Sequence, residues 1–148
     1  MAPEIANSWA LNWLWGLPLI VLTVLIHASG LGIIDKQVMS TLSSARRLGG
    51  TSVASIFAVG GAVLAVTILH ALESAIWSGA YRALDAVQDN KSAMLYSLNA
   101  MTSYGHENLQ LAAQWQMMGA LEALNGWILF GLTTAFLFIV MQKARSRI

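Results

Sequence analysis

Three long apolar runs alternate with shorter polar stretches along this chain. They occupy about residues 9–29, 51–79 and 117–141. Each is long enough to cross about 30 Å of hydrocarbon as a helix. A shorter run lies between the second and third; it has about ten residues and ends at Thr102, Ser103, Tyr104 and Gly105. It is too short to span and reads as re-entrant or interfacial. Non-helical backbone at membrane depth survives only inside protein or beside water. A helix that dips in, breaks at residues 102–105 and returns outward therefore lines an aqueous path.

The first polar connection, residues 30–50, has a different pattern. Ile33, Ile34, Val38, Leu42 and Ala45 recur at helical spacing, with Asp35, Lys36, Arg46 and Arg47 between them. This predicts an amphipathic interfacial helix closed by Gly49 and Gly50, with a solvated linker as the alternative. The predicted architecture is an all-α membrane protein. It has three transmembrane helices, a re-entrant helix with a loop after it, and an interfacial amphipathic helix.

Composition agrees with this pattern. The 148 residues are 57% hydrophobic and 10% charged, where soluble domains carry roughly 25% charged residues. The net charge is +1 without a basic patch, which argues against a nucleic-acid partner. The chain has no cysteine, so disulfides and thiolate metal sites are excluded. Trp9, Trp13 and Trp15 cluster at the start of the first run, as an interfacial aromatic belt does. Pro18 falls within its first turns, where proline is tolerated, and His27 near its far end reads as a headgroup-level histidine. The start of the chain lacks the positive charge of a secretory signal, so the run is expected to be a retained anchor.

Charge also orients the helices. Lys36, Arg46 and Arg47 in the first connection, and Lys143, Arg145 and Arg147 after the third run, predict cytoplasmic positions by the positive-inside rule. The N-terminus then lies outside a bacterial inner membrane. The second run carries small residues, Ala54, Ala58, Gly60, Gly61, Ala62 and Ala65, that permit close helix contact. It also carries His70 and Glu73, three apart and on one helix face. They could supply two metal ligands, but no further ligand pair is apparent and no metal site is assigned. The expectation is instead a polar brace of His70, Glu73 and Glu122 behind the short helix. Asn90 or Ser92 is the expected cap of that helix. No nucleophile, metal or cofactor signature is present, so neither an enzyme nor a cofactor is expected.

Residues 97–107, Ser-Leu-Asn-Ala-Met-Thr-Ser-Tyr-Gly-His-Glu, resemble the pore helix and selectivity filter of the tetrameric potassium-channel superfamily. The usual filter of that superfamily reads Thr-Val-Gly-Tyr-Gly-Asp. Residues 119–131 are similar to the inner pore helix of bacterial two-helix ion channels. The resemblance covers roughly the last half of the chain. Aligned without a gap, Thr102 falls on the filter threonine and Glu107 on the terminal acid, and Tyr104 and His106 take the glycine positions. Aligned on Tyr104-Gly105, the filter is one residue short. At least one filter glycine is missing either way, and the torsions of a carbonyl ring suit glycine better than Tyr, Ser or His.

The resemblance implies a pore-loop cation channel, weakly selective, built as a homo-oligomer. Four subunits are implied, with other ring sizes open. Residues 1–50 would be an anchor and cytoplasmic linker, and residues 51–148 a pore module of outer helix, pore loop and inner helix. Thr102, Ser103, Tyr104 and Gly105 would line the narrowest part, with His106 and Glu107 at the outer mouth. Gly126 and Gly131 would be either close-packing contacts or a gating bend, and the resemblance favours the bend. The partners are then further copies of the chain, the bilayer, and permeant monovalent or divalent cations. The alternatives are a non-conducting accessory or scaffold subunit of the same fold, and a membrane enzyme or transporter.

Overall fold

The computed structural model describes residues 3–47, 51–105 and 108–145, with side chains from residue 9 to 44 and from residue 53 onward within those stretches. The described residues form helices and turns without a strand. In order they are α1 (Pro3–Arg47), α2 (Thr51–Ala83), the short α3 (Asn90–Met101), one 3-10 turn (Ala113–Trp115) and α4 (Gln116–Arg145). Three segments, Trp9–Ser44, Val53–Ala83 and Ala113–Arg145, are long and apolar enough to cross a membrane. Large apolar side chains stay exposed along all three, among them Leu14, Leu25, Phe57, Leu64, Trp127 and Phe138. This is the make-up of a multi-pass membrane protein.

The interfacial helix expected over residues 30–50 is not a separate element. Those residues continue α1 without interruption to Arg47. Gly30, the first residue of the expected connection, is a packing contact: a Cβ there would lie 2.7 Å from Leu69 Cδ2 of α2. Because α1 begins at Pro3, Pro18 also sits in the helix interior rather than in its first turns.

α1 and α4 run parallel, and polar pairs mark their register. Asn12 Nδ2 donates to the Gln114 carbonyl at 2.6 Å, and the Met118 N–H donates to Asn12 Oδ1 at 3.0 Å. Farther along, Asn125 Nδ2 donates to Thr23 Oγ1 at 2.9 Å, His27 Nε2 meets Thr133 Oγ1 at 3.0 Å, and Lys143 pairs with Asp35 at 2.7 Å. The sequence separation of these pairs stays between 102 and 108, as parallel helices of equal rise require. α2 runs antiparallel beside both. At one end Val38, Leu42, Ala58, Ala62 and Val140 form a small apolar core. At the other, Trp77, Tyr81, Tyr96, Met101, Met118 and Leu129 belong to a larger one, into which α3 is set.

α3 rests on α4 at two glycines. The Tyr96 ring covers Gly119, and the Met101 carbonyl abuts Gly126 so closely that a Cβ there would lie 2.8 Å from the carbonyl carbon. Seven positions apart, the two glycines share one helix face. On its other side α3 meets α2, where Ser97 Oγ donates to the Ser74 carbonyl at 2.8 Å. Ser74 and Gly126 each lie about 15 Å from the near end of their helix, at 1.5 Å per residue.

Candidate functional site

The short helix is held at both ends by its own sequence. Asp89, not Asn90 or Ser92, is its N-cap: Asp89 Oδ1 accepts the Ser92 N–H at 2.9 Å. Asn90 Oδ1 instead accepts from Arg82 Nε at 2.9 Å. The hydrogen bonds from Ser92 hold the Asp89 carboxyl below the usual carboxylate range. At the other end the Ser103 N–H donates to the Ala100 carbonyl and the Tyr104 N–H to the Asn99 carbonyl, both at 3.0 Å. These are the paired bonds of a Schellman turn. Its left-handed position belongs to Ser103, at φ 55°, where glycine is the usual occupant. Trp127 Nε1 of α4 donates to Ser103 Oγ at 3.0 Å. Beyond the turn Tyr104 is 85% exposed and Gly105 takes φ 104°. Thr102 is exposed and turns its hydroxyl back to the Leu98 carbonyl at 2.7 Å. His106 and Glu107 lie outside the described residues.

Behind α3 is a first buried cluster, around Glu122. Tyr81 O–H donates to Glu122 Oε2 at 2.6 Å, and Ser97 Oγ contacts Glu122 Oε1 and the Ser74 carbonyl. Ser74 Oγ donates to Met101 Sδ at 3.4 Å. Tyr81 and Tyr96 meet edge to face, their ring centroids 5.3 Å apart. A carboxyl of α4 thus joins α2 and α3. Glu122, Ser97 and Tyr81 are all buried, where a lost partner is costly.

The second cluster joins α1, α2 and α4. His27, read from the sequence as a headgroup-level histidine, is fully buried within the chain, with Nδ1 2.9 Å from Glu73 Oε1. His70 Nδ1 faces Glu73 Oε2 at 3.3 Å, and His70 Nε2 meets Thr133 Oγ1 at 3.0 Å. Since His27 Nε2 also reaches Thr133 Oγ1, the four side chains close a ring. The His70 and Phe130 rings stack with centroids 4.6 Å apart.

Of the residues expected to form one brace, Glu122 contacts α3, while His70 and Glu73 turn to His27 and Thr133. Ser74, next to Glu73 in sequence, lies between the two clusters. Sequence reasoning passed over His27, Thr133, Ser74 and Asn125 as functional candidates. His27 carried a signal, an ionisable residue within an apolar run, but its partners lie 46 and 106 positions away. Gly126 is the seat of α3, whereas a Cβ on Gly131 would meet nothing within 4 Å. Comparison with protein-family models, curated proteins and solved structures finds no match for this chain.

Proposed function

We propose that this chain is the subunit of a homo-oligomeric, weakly selective cation channel of the pore-loop type, with α3 as a re-entrant pore helix. The supporting observation is the depth and exposure of its C-terminal end. Trp13 and Asp35 on α1 stand about 33 Å apart at 1.5 Å per residue, close to a hydrocarbon thickness. Met101 abuts Gly126, beside the Asn125–Thr23 pair. On this reading that level is near the bilayer middle. There Thr102, Ser103, Tyr104 and Gly105 lie exposed on the single chain. Irregular backbone facing lipid is costly, and further copies of the chain around an axis would remove it from lipid and set it beside water. Trp127, Ile128 and Gly131 of α4 are also exposed and available to neighbouring copies.

In this reading α2 is the outer helix and α4 the inner helix, and residues 102–105 line the narrowest part. His106 and Glu107 follow at the outer mouth, and Gly131 is the freer of the two bend candidates. The resemblance implies four copies. No catalytic step and no cofactor belongs to this function. The membrane is the bacterial inner membrane, with the N-terminus outside and the C-terminus in the cytoplasm. Purified oligomer in planar bilayers under potassium, sodium and calcium gradients tests the proposal. Cation current with little discrimination between potassium and sodium is expected; silent protein in the correct assembly would reject conduction. The closed turn at Ser103 and the exposed Tyr104 ring favour a second reading, a non-conducting subunit of the same fold. Side-chain density filling the central axis of the oligomer would support it.

A further inference from the structure

We propose that His27, His70 and Glu73 bind a divalent first-row metal cation of the zinc class, clamping α1 to α2 with Thr133 of α4 as the outer support. Glu73 Oε1 accepts from His27 Nδ1 at 2.9 Å, so a neutral His27 has its lone pair on Nε2. Thr133 Oγ1 stands 3.0 Å from that nitrogen, and we assign its O–H there because the longest contact of the ring, His70 Nδ1 to Glu73 Oε2 at 3.3 Å, is the one without a hydrogen bond. A hydroxyl has one proton to give, so the 3.0 Å contact between Thr133 and His70 requires the His70 proton on Nε2. His70 Nδ1 then turns a bare lone pair toward Glu73 Oε2 at 3.3 Å. Both atoms are buried, and neither has a hydrogen-bond partner. Two facing lone pairs call for a positive species between them.

A metal cation removes the conflict. With the cation on the two Nδ1 atoms and the Glu73 carboxylate, both rings carry their proton on Nε2. Both then donate to Thr133 Oγ1, the kind of acceptor that metal-bound histidines usually find. The His27 proton moves from Nδ1 to Nε2, the Thr133 O–H turns away from His27, and no proton is lost. The dimensions agree. Zinc bonds of about 2.0–2.1 Å place tetrahedral ligand atoms about 3.4 Å apart. The His70 and Glu73 atoms stand at 3.3 Å, and all three residues offer ligand atoms within 4.8 Å of one another. Two imidazoles and a carboxylate suit zinc and its neighbours and leave a fourth position for water. Glu73 offsets one of the two charges, and His70, 14% exposed, is the member nearest the surface.

The test uses the full chain in detergent, stripped with a chelator and titrated with cobalt(II), then with zinc(II). About one cobalt per chain, with visible bands of a low-coordinate nitrogen–oxygen site that zinc abolishes, is expected. Thermal stability should rise with the logarithm of metal concentration. Glu73→Gln and His27→Gln should remove the bands, Thr133→Val should weaken binding about 10–100-fold, and Gln142→Ala, exposed near the far end of α4, should leave binding intact. X-ray absorption of the wild-type zinc complex should show two imidazoles and a carboxylate, a readout independent of whether the variants fold. Absence of binding and of any thermal shift at millimolar metal overturns the proposal. So does metal that survives Glu73→Gln and His27→Gln, or stability that follows pH and ignores metal, in which case a proton fills the gap.

Discussion

At the residue scale, the polar groups of this molecule matter because their alternatives are lipid or an unpaired neighbour. Glu122 accepts from Tyr81 and contacts the Ser97 hydroxyl, both residues buried. Glu122→Ala leaves the Tyr81 hydroxyl without an acceptor, an orphan that costs about 1–3 kcal/mol, while Ser97 keeps its bond to the Ser74 carbonyl. A loss of that order in detergent unfolding is expected, with Glu122→Gln much milder because it keeps an acceptor oxygen. An alanine variant as stable as the parent would mean that these bonds contribute nothing. Ser103 offers the opposite experiment. Its φ of 55° is a conformation that costs a residue with a Cβ about 1–2 kcal/mol. Ser103→Gly relieves that cost but removes the bond from Trp127, so a net gain of about 0.5 kcal/mol is expected. Thermal unfolding of the variant beside Trp127→Phe separates the two effects. Glu122 was legible in the sequence because a carboxyl in an apolar run is conspicuous. Ser97, Ser74 and Thr133 were not, since a hydroxyl in a transmembrane helix can satisfy itself on its own backbone. Only the tertiary fold shows which of them reach across.

At the scale of elements, apolar runs located the three long helices and the short one, but glycine misled at their joints. A glycine ends a helix when the chain turns left-handed and fills a contact when a neighbour needs room, and both uses look alike in sequence. Gly30 is of the second kind, and α1 continues past it under Leu69. Gly126 and Gly131 separate the same two uses by experiment. Gly126→Ala drives a Cβ into the Met101 backbone, so the end of α3 must move. A loss of about 1–3 kcal/mol, the ordinary cost of overpacking, is expected. Gly131→Ala meets nothing and should raise helix stability by about 0.5–1 kcal/mol. If Gly131 is the bend of a gate, that same variant changes the open fraction in bilayer recordings while folding stability rises. Equal stability changes for the two variants would mean that α3 does not depend on its seat at Gly126.

At the scale of the whole molecule, the parallel course of α1 and α4 settles which charges share an end. Lys143 pairs with Asp35 at 2.7 Å, so the end of α1 at Arg47 and the end of α4 at Arg145 lie together, opposite to α3 and its flanking loops. The positive-inside rule already assigns both clusters to one side, and the fold brings the two helix ends together. The expected topology therefore puts Ser44 and Gln142 in the cytoplasm and Gln88 outside, and all three side chains are exposed. The chain has no cysteine of its own, so single-cysteine variants at these positions carry no background. A membrane-impermeant maleimide added to intact cells should label Gln88→Cys and spare Ser44→Cys and Gln142→Cys until the membrane is opened. Labelling of Ser44→Cys and Gln142→Cys together, with Gln88→Cys spared, would invert the protein and bring α3 in from the cytoplasmic side. Labelling of only one of Ser44→Cys and Gln142→Cys would contradict the parallel pairing of α1 and α4 itself, and with it the level at which α3 ends.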